Sequence, residues 1–142
     1  MENKYFQASP HDKRALVEKI GVCLKHRPEI AFAYLHGSFA NSDRFRDVDL
    51  AVYLNPPPSS PLAFELQLET ELGNLLGPFP IEIRVLNNAP LSFRFKVIEK
   101  GELLFVTAEN LRCDFVEATL RDYFDFAPFR KLYLKEALGS GI

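Results

Sequence analysis

The sequence predicts an α+β fold: a small mixed sheet of three to four strands with flanking helices and a C-terminal helical segment. Short apolar runs alternate with segments of helical period, and no internal repeat is present. The 142 residues, 47% of them hydrophobic, are enough to bury one core. We therefore expect a single domain over residues 1–142, with a core over about 10–107 and a helical extension over about 108–138.

The first predicted elements are a helix and a buried strand. Ser9 suits the N-cap, Pro10 suits the first turn, and Asp12 lies near the positive end of the helix dipole. Apolar residues then recur at helical spacing until Pro28, which ends the helix. Residues 30–35 form an uninterrupted apolar run, which is typical of a strand buried on both faces.

The middle of the chain predicts a second strand, an exposed connection and a second helix. Residues 48–54 are mostly apolar and rich in strand-forming residue types. Residues 55–61 are rich in proline and cannot continue a strand. Apolar residues in 62–76 follow helical turns, and the Gly-Pro-Phe-Pro sequence at 77–80 turns the chain.

The last part of the chain predicts two more strands and three helices. An Asn-Asn-Ala-Pro turn separates the third strand from a helix that ends before a glycine. We place a break before the final helix because proline suits a first turn and disfavours a helix interior. In order, these elements are a strand over 81–86, a helix over 91–100, a strand over 102–106 and helices over 109–123 and 128–138.

Composition and charge narrow the class of protein. With 17 basic and 19 acidic residues, the formal charge is -2. This charge argues against binding of long nucleic acid and favours, as a polyanionic ligand, a small molecule that binds together with a metal ion. Cys23 and Cys113 are far apart and form no C-x-x-C pattern, so neither a zinc site nor a disulfide framework is expected. No signal peptide or apolar run near 18 residues is present. We expect a cytoplasmic protein with no membrane segment.

Asp47 and Asp49 stand one residue apart at the start of the predicted strand 48–54. Side chains at i and i+2 of a strand point to the same side, so the two carboxylates should project together. Such a pair either raises a pKa or attracts a cation, and carboxylate oxygens suit Mg²⁺. The alternative is that the two aspartates are ordinary solvent-exposed residues at the start of a strand.

Gly37 and Ser38 end the preceding strand in the same stretch of sequence. Gly37 would let the backbone approach a ligand closely. Ser38 would open a short helix whose unpaired N–H groups favour a phosphate. A phosphate site beside a metal-binding pair of carboxylates is the combination that phosphoryl or nucleotidyl transfer uses. The alternative is that the Gly-Ser sequence forms only a tight turn and a helix cap.

Glu82 is the candidate for the third carboxylate that a two-metal site usually needs. It lies in the strand 81–86, where it alternates with apolar residues that should face the core. Glu82 could bind a metal or accept the proton of an attacking hydroxyl. Arg84 shares its face and could neutralise phosphate or pair with Glu82, and an exposed ion pair is the alternative.

These segments resemble the minimal nucleotidyltransferase (MNT) domains of the DNA polymerase β-like nucleotidyltransferase superfamily. The stretch HGSFANSDRFRDVDLAVYL carries the family's Gly-Ser…Asp-x-Asp signature. PIEIRVLNNAPLSFRFKVIEKGELLFV is similar to a later segment of the family, and YFDFAPF is similar to its closing helical stretch. The resemblance covers about residues 10–135.

The resemblance implies the polymerase β-like fold and a role for each motif residue. Gly37 and Ser38 would hold the triphosphate of ATP, and Asp47 and Asp49 would bind Mg²⁺. Glu82 stands where the family commonly has its third aspartate. The resemblance further implies an MntA-like antitoxin of a HEPN/MNT toxin–antitoxin pair, which transfers AMP from ATP to a tyrosine of its HEPN partner.

The sequence departs from the family pattern in two places. Eight residues, 39–46, separate the Gly-Ser pair from the first aspartate, a shorter loop than in many relatives. Arg44 and Arg46 lie in this loop and could contact phosphate, although loop arginines are more often simply solvated. The second departure is Glu82 itself, which carries one more methylene than the usual aspartate.

The sequence also allows two other functions, and it allows a homo-oligomeric state. The protein could neutralise its partner by docking, with a weak or idle nucleotide site. The acceptor could instead be a small molecule, although little chain remains for a second substrate domain. Phe124, Phe126 and Phe129 cluster near the end of the chain and could either pack the last helix or form an apolar interaction patch.

Overall fold

The computed structural model describes residues 5–138, with side chains up to residue 125. Its elements in chain order are β1 (Phe6–Gln7), α1 (Pro10–Lys25), β2 (Ile30–His36), α2 (Ser38–Asn41), β3 (Arg44–Phe45), β4 (Val48–Leu54), α3 (Pro61–Leu76), β5 (Ile81–Val85), α4 (Leu91–Lys100), β6 (Glu102–Val106) and α5 (Glu109–Leu138).

Within the described residues, a mixed sheet of four strands in the order β5-β4-β2-β6 forms the centre of the fold. β2 is antiparallel to both β4 and β6, whereas β4 and β5 are parallel. The parallel pair is joined through α3, since parallel neighbours need a crossover connection. The predicted α+β class with a mixed sheet is confirmed.

Helices cover both faces of this sheet. On one face, α1 and α3 bury side chains such as Leu24 and Leu72 against Leu35 and Leu50. On the other face, α4 and α5 pack over the alternate strand residues, with Val97 among the buried side chains. Burial on both faces explains why the strands read as nearly continuous apolar runs.

Capping and side-chain bonds fix the ends of several elements as their residue types predict. The Asp12 N–H donates to the Ser9 hydroxyl over 3.1 Å, so the predicted start of α1 is confirmed. The Asn87 amide accepts from the Leu54 N–H at 2.9 Å and donates to the Leu54 carbonyl at 2.7 Å. Asn87 thus ties the end of β4 to the turn that begins α4.

The structure corrects two parts of the predicted element order. β1 and β3 form a short antiparallel pair that the sequence analysis missed, because strands of two residues carry no periodicity. The predicted break before Pro128 is wrong, since α5 runs without interruption over Glu109–Leu138. A proline removes one helical hydrogen bond, and a long helix can accommodate that loss.

The loop over residues 39–46 is held by buried aromatic side chains and by hydrogen bonds from α1. Phe39 and Phe45 are buried and meet edge to face, with ring centroids 4.7 Å apart. Lys13 of α1 donates to the carbonyls of Phe39, at 2.8 Å, and of Ser42. These contacts close the short connection between β2 and β4.

The described part of the chain contains no helix with both the length and the apolar character that crossing a membrane requires. The predicted aromatic patch is only partly described. Phe124 is 60% exposed and meets Phe95 edge to face. The side chains of Phe126 and Phe129 lie outside the described residues.

Candidate active site

Three strand ends meet at one end of the sheet. β2 ends there, whereas β4 and β5 begin there, because β4 is antiparallel to β2 and parallel to β5. In this register His36 pairs with Asp49, and Asp49 pairs with Glu82. Paired residues point to the same face of a sheet, and Phe93 of α4 contacts His36 on this face. The paired carboxylates therefore lie on the side covered by α4.

Asp47, Asp49 and Glu82 form a carboxylate cluster at this sheet end. One oxygen from each residue lies within 4.8 Å of the others. Asp47 and Asp49 are half-buried, and Glu82 is exposed. No other group of three or more metal-ligating side chains is present among the residues whose side chains are described. Oxygen ligands with this spacing fit a divalent cation such as Mg²⁺.

Gly37 brings the end of β2 directly against this cluster. Its φ of 77° lies in the left-handed region that residues with a Cβ rarely adopt. A Cβ placed on Gly37 would lie 2.2 Å from Asp49 Oδ2, far inside contact distance. Gly37 and the exposed Ser38 that follows it therefore share one side of the sheet with the carboxylates.

The cluster concentrates negative charge in a partly buried place. Burial, together with the negative charges of Asp47 and Glu82, raises the pKa of Asp49 to about 7. A carboxyl group that resists ionisation beside two other carboxylates marks a site where a cation would be stabilised.

The raised pKa of Asp49 predicts how stability depends on pH in the absence of metal. The folded state binds this proton more tightly than the unfolded chain does, so the free energy of unfolding falls as pH rises from about 4 to about 7. Asp49 is only half-buried and water screens it, so we expect a loss of about 1–2 kcal/mol. Urea denaturation in EDTA across this range measures the loss.

The variant Asp49→Asn provides the control for this prediction, because asparagine does not titrate. The free energy of unfolding of the wild type minus that of the variant should change with pH by the stated amount. In the wild type, saturating Mg²⁺ should remove most of the loss in the free energy of unfolding that accompanies the rise in pH. A difference that stays constant from pH 4 to pH 8 would contradict the assignment.

His36 lies beside the cluster as a half-buried side chain. Burial lowers its pKa and outweighs the opposing charge of Glu82, and the positive charge of Lys96 lowers it further. Its ring meets Phe93 edge to face with centroids 5.4 Å apart, and its buried Nε2 makes no hydrogen bond within the described part of the chain. His36 thus adds no positive charge to the site.

The arginines that the sequence analysis singled out occupy different places. Arg84 Nε lies 3.3 Å from Glu82 Oε1, and its guanidinium lies over the Phe93 ring, 5.7 Å from the centroid. Arg44 lies over the ring of Tyr5, 4.8 Å from its centroid. Arg46 is exposed between β3 and β4.

A groove of about 670 Å³ adjoins the Gly37 end of the cluster. We call it the α2–α4 groove, and its described lining includes neither Arg44 nor Arg46. It is lined by Gly37, Ser38, Asn41, Lys96, Glu99 and Lys100. The two lysines were not predicted as site residues. Their spacing of four residues on a predicted helix was visible, but nothing in the sequence showed which element that helix face would meet.

The comparison with protein families decides what kind of protein carries this site. The model of the family described as "Polymerase beta, Nucleotidyltransferase" matches residues 18–110, well over half of the chain. The chain belongs to this family. The match spans the strands that bear the carboxylate cluster as well as the Gly-Ser turn and α4. No curated protein sequence matches this nucleotidyltransferase significantly.

Several solved structures share the fold of this nucleotidyltransferase. One is a complex of an MNT antitoxin with a tri-AMPylated HEPN toxin from Shewanella oneidensis, with 20% identity and a TM-score of 0.69 over 89% of this chain and 98% of that chain. A toxin–antitoxin structure with AMP-PNP gives 22% identity and a TM-score of 0.70 over 86% and 98%. The MntA–HepT toxin–antitoxin gives 20% identity and a TM-score of 0.68 over 88% and 98%.

Proposed function

We propose that this nucleotidyltransferase transfers AMP from ATP to the tyrosine hydroxyl of a HEPN-family partner and so acts as the antitoxin of the pair. The observation that carries the proposal is the approach of Gly37 to Asp49, which sets the Gly-Ser turn and the carboxylate cluster side by side. The family match supplies the reaction type, and the MNT antitoxin structures that share the fold point to the partner.

The three carboxylates fit Mg²⁺, and we propose that they hold it. Asp47 and Asp49 would be the main ligands, with Glu82 completing the site. The raised pKa of Asp49 supports this assignment, because a divalent cation would offset the charge that the cluster accumulates. Bound there, Mg²⁺ supplies charge neutralisation for the attacking and leaving oxygens of phosphoryl transfer.

Glu82 is proposed to act on the acceptor side of the reaction. The strand order places β5, which carries Glu82, on the opposite side of β4 from β2, which ends at Gly37. In-line displacement requires the attacking hydroxyl and the departing pyrophosphate to lie on opposite sides of the α-phosphorus. Glu82 could therefore accept the proton of the hydroxyl, while Gly37 and Ser38 bind the phosphates that leave.

The charge and the cysteines of the chain fit an acceptor other than long nucleic acid and a reducing compartment. The formal charge of -2 gives no general attraction to long nucleic acid. Cys23 and Cys113 are both free thiols, which fits the cytoplasm that we propose as the location.

Incubation with labelled ATP, Mg²⁺ and a HEPN protein encoded beside this chain tests the proposed function. Label should move to a tyrosine of the HEPN protein and depend on added Mg²⁺. Label transfer to small hydroxyl compounds alone would favour a small-molecule nucleotidyltransferase. Absence of transfer, under conditions in which an authentic MNT antitoxin labels its own toxin, would contradict the enzymatic function.

The substitution Glu82→Gln tests the acceptor-side role. We expect AMP transfer to fall about 100-fold, because the amide can neither accept the proton nor bind Mg²⁺ as a carboxylate does. Glu82→Asp should give an intermediate rate, since it restores the charge about one bond length away. Single-turnover label transfer measures both rates.

Glu117→Gln is the matched control for this comparison, because Glu117 is an exposed residue of α5. It should transfer AMP at the wild-type rate. A Glu82→Gln variant as fast as this control would remove Glu82 from the proposed mechanism.

A further inference from the structure

The α2–α4 groove lies on the Gly37 side of the carboxylate cluster, and the proposed chemistry leaves its two lysines unassigned. Lys96 and Lys100 are exposed and both line the groove with Ser38. Residues four apart on a helix lie on the same side, so their ammonium groups face α2 together. The groove therefore combines two cations with the turn that ends β2.

The fold holds α4 in this position by a contact beside each of the two lysines. Val97 is buried among the sheet residues next to Lys96. At the end of α4, a Cβ added to Gly101 would lie 3.3 Å from the Leu35 carbonyl oxygen, which shows how closely the chain approaches β2 there. These contacts hold the helix that carries the two lysines close to the end of β2.

Charge balance indicates what this groove is suited to bind. A nucleoside triphosphate is strongly anionic, and the carboxylate cluster next to the groove is anionic as well. A nucleotide bound in the groove would therefore need nearby positive charge. α2 has only four residues, so its dipole alone gives little compensation. Lys96 and Lys100 supply two positive charges at the groove, and Glu99 removes one.

We propose that Lys96 and Lys100 bind the terminal phosphates of the nucleotide, which makes the α2–α4 groove the triphosphate half of the active site. This inference rests on the proposed function and adds to it the two residues of α4 that hold the terminal phosphates of ATP. The departing pyrophosphate then leaves through the α2–α4 groove, and the acceptor enters from the Glu82 side.

The test is isothermal titration of the full chain with ATP or AMP in the presence of Mg²⁺. For the double variant Lys96→Gln with Lys100→Gln we expect ATP to bind about 10- to 100-fold more weakly, since two charge-assisted contacts are lost. AMP binding should change less than about twofold, because the contacts involve the terminal phosphates.

A control of equal charge is available on the other face of the sheet. Lys19 and Lys25 are exposed residues of α1, so Lys19→Gln with Lys25→Gln should leave ATP binding unchanged. The variant Glu99→Gln should change affinity in the opposite direction, with ATP binding several-fold tighter, because it removes the one negative charge that lines the groove.

The outcomes separate this inference from the proposed function. Wild-type binding of ATP together with equal binding by the α4 double variant would overturn the role of the lysines and leave the proposed function standing. An equal loss of ATP and AMP binding would also overturn it, because the lysines would then act on the whole site. A wild-type protein that binds no ATP would overturn both.

Discussion

Replacement of both aspartates of the cluster, Asp47→Asn with Asp49→Asn, should lower AMP transfer by on the order of a thousandfold or more, because residues that act as one unit lose most of the rate together. The fold should survive the change. Burial and the neighbouring carboxylates already raise the pKa of Asp49 to about 7, so neutral amides relieve repulsion. Label transfer measures the activity, and urea denaturation without metal should give an equal or higher free energy of unfolding.

Asp114→Asn with Asp122→Asn is the control for this variant. Both residues are exposed on α5, so the same loss of charge there should leave AMP transfer intact. The experiment also separates catalysis from docking when partner toxicity is measured beside label transfer. A cluster variant that transfers no AMP and still neutralises the HEPN partner as well as the wild type would show that docking is sufficient.

The substitution Gly37→Ala should damage both stability and catalysis. The methyl group would lie 2.2 Å from Asp49 Oδ2, so the aspartate must move, and a displacement of about 1 Å in a reacting site can cost about 100-fold in rate. The backbone φ of 77° adds strain of about 1–2 kcal/mol for alanine. Single-turnover AMP transfer and the free energy of unfolding measure the two effects.

Gly77→Ala separates backbone strain from the displacement of Asp49. Gly77 also has a positive φ, 80°, but a Cβ there would meet no atom within 4 Å. The Gly77 variant should lose similar backbone stability and keep its AMP transfer. If Gly37→Ala transferred AMP as fast as Gly77→Ala, the close approach of β2 to the cluster would have no catalytic role.

Local sequence patterns predicted much of the fold because local physics decides them. The Ser9 cap, the apolar runs of β2 and β4 and the helix over 91–100 all depend on residues close in the chain. The short pair of β1 and β3 was missed because it exists only through contacts between distant residues, including the packing of the Phe6 ring against the Phe45 ring. Pro128 misled the prediction because a proline is tolerated within the long α5 helix.

The candidate site divides in the same way. The sequence by itself determined that Asp47 and Asp49 project together, because side chains two apart in a strand share a face whatever surrounds them. Only the tertiary structure decided that Glu82 stands beside Asp49, that Gly37 closely approaches the Asp49 carboxylate and that Lys96 lines one groove with the Gly-Ser turn. Those neighbours come from strand order and helix packing, which depend on burial of the whole core and leave no periodic signal in the chain.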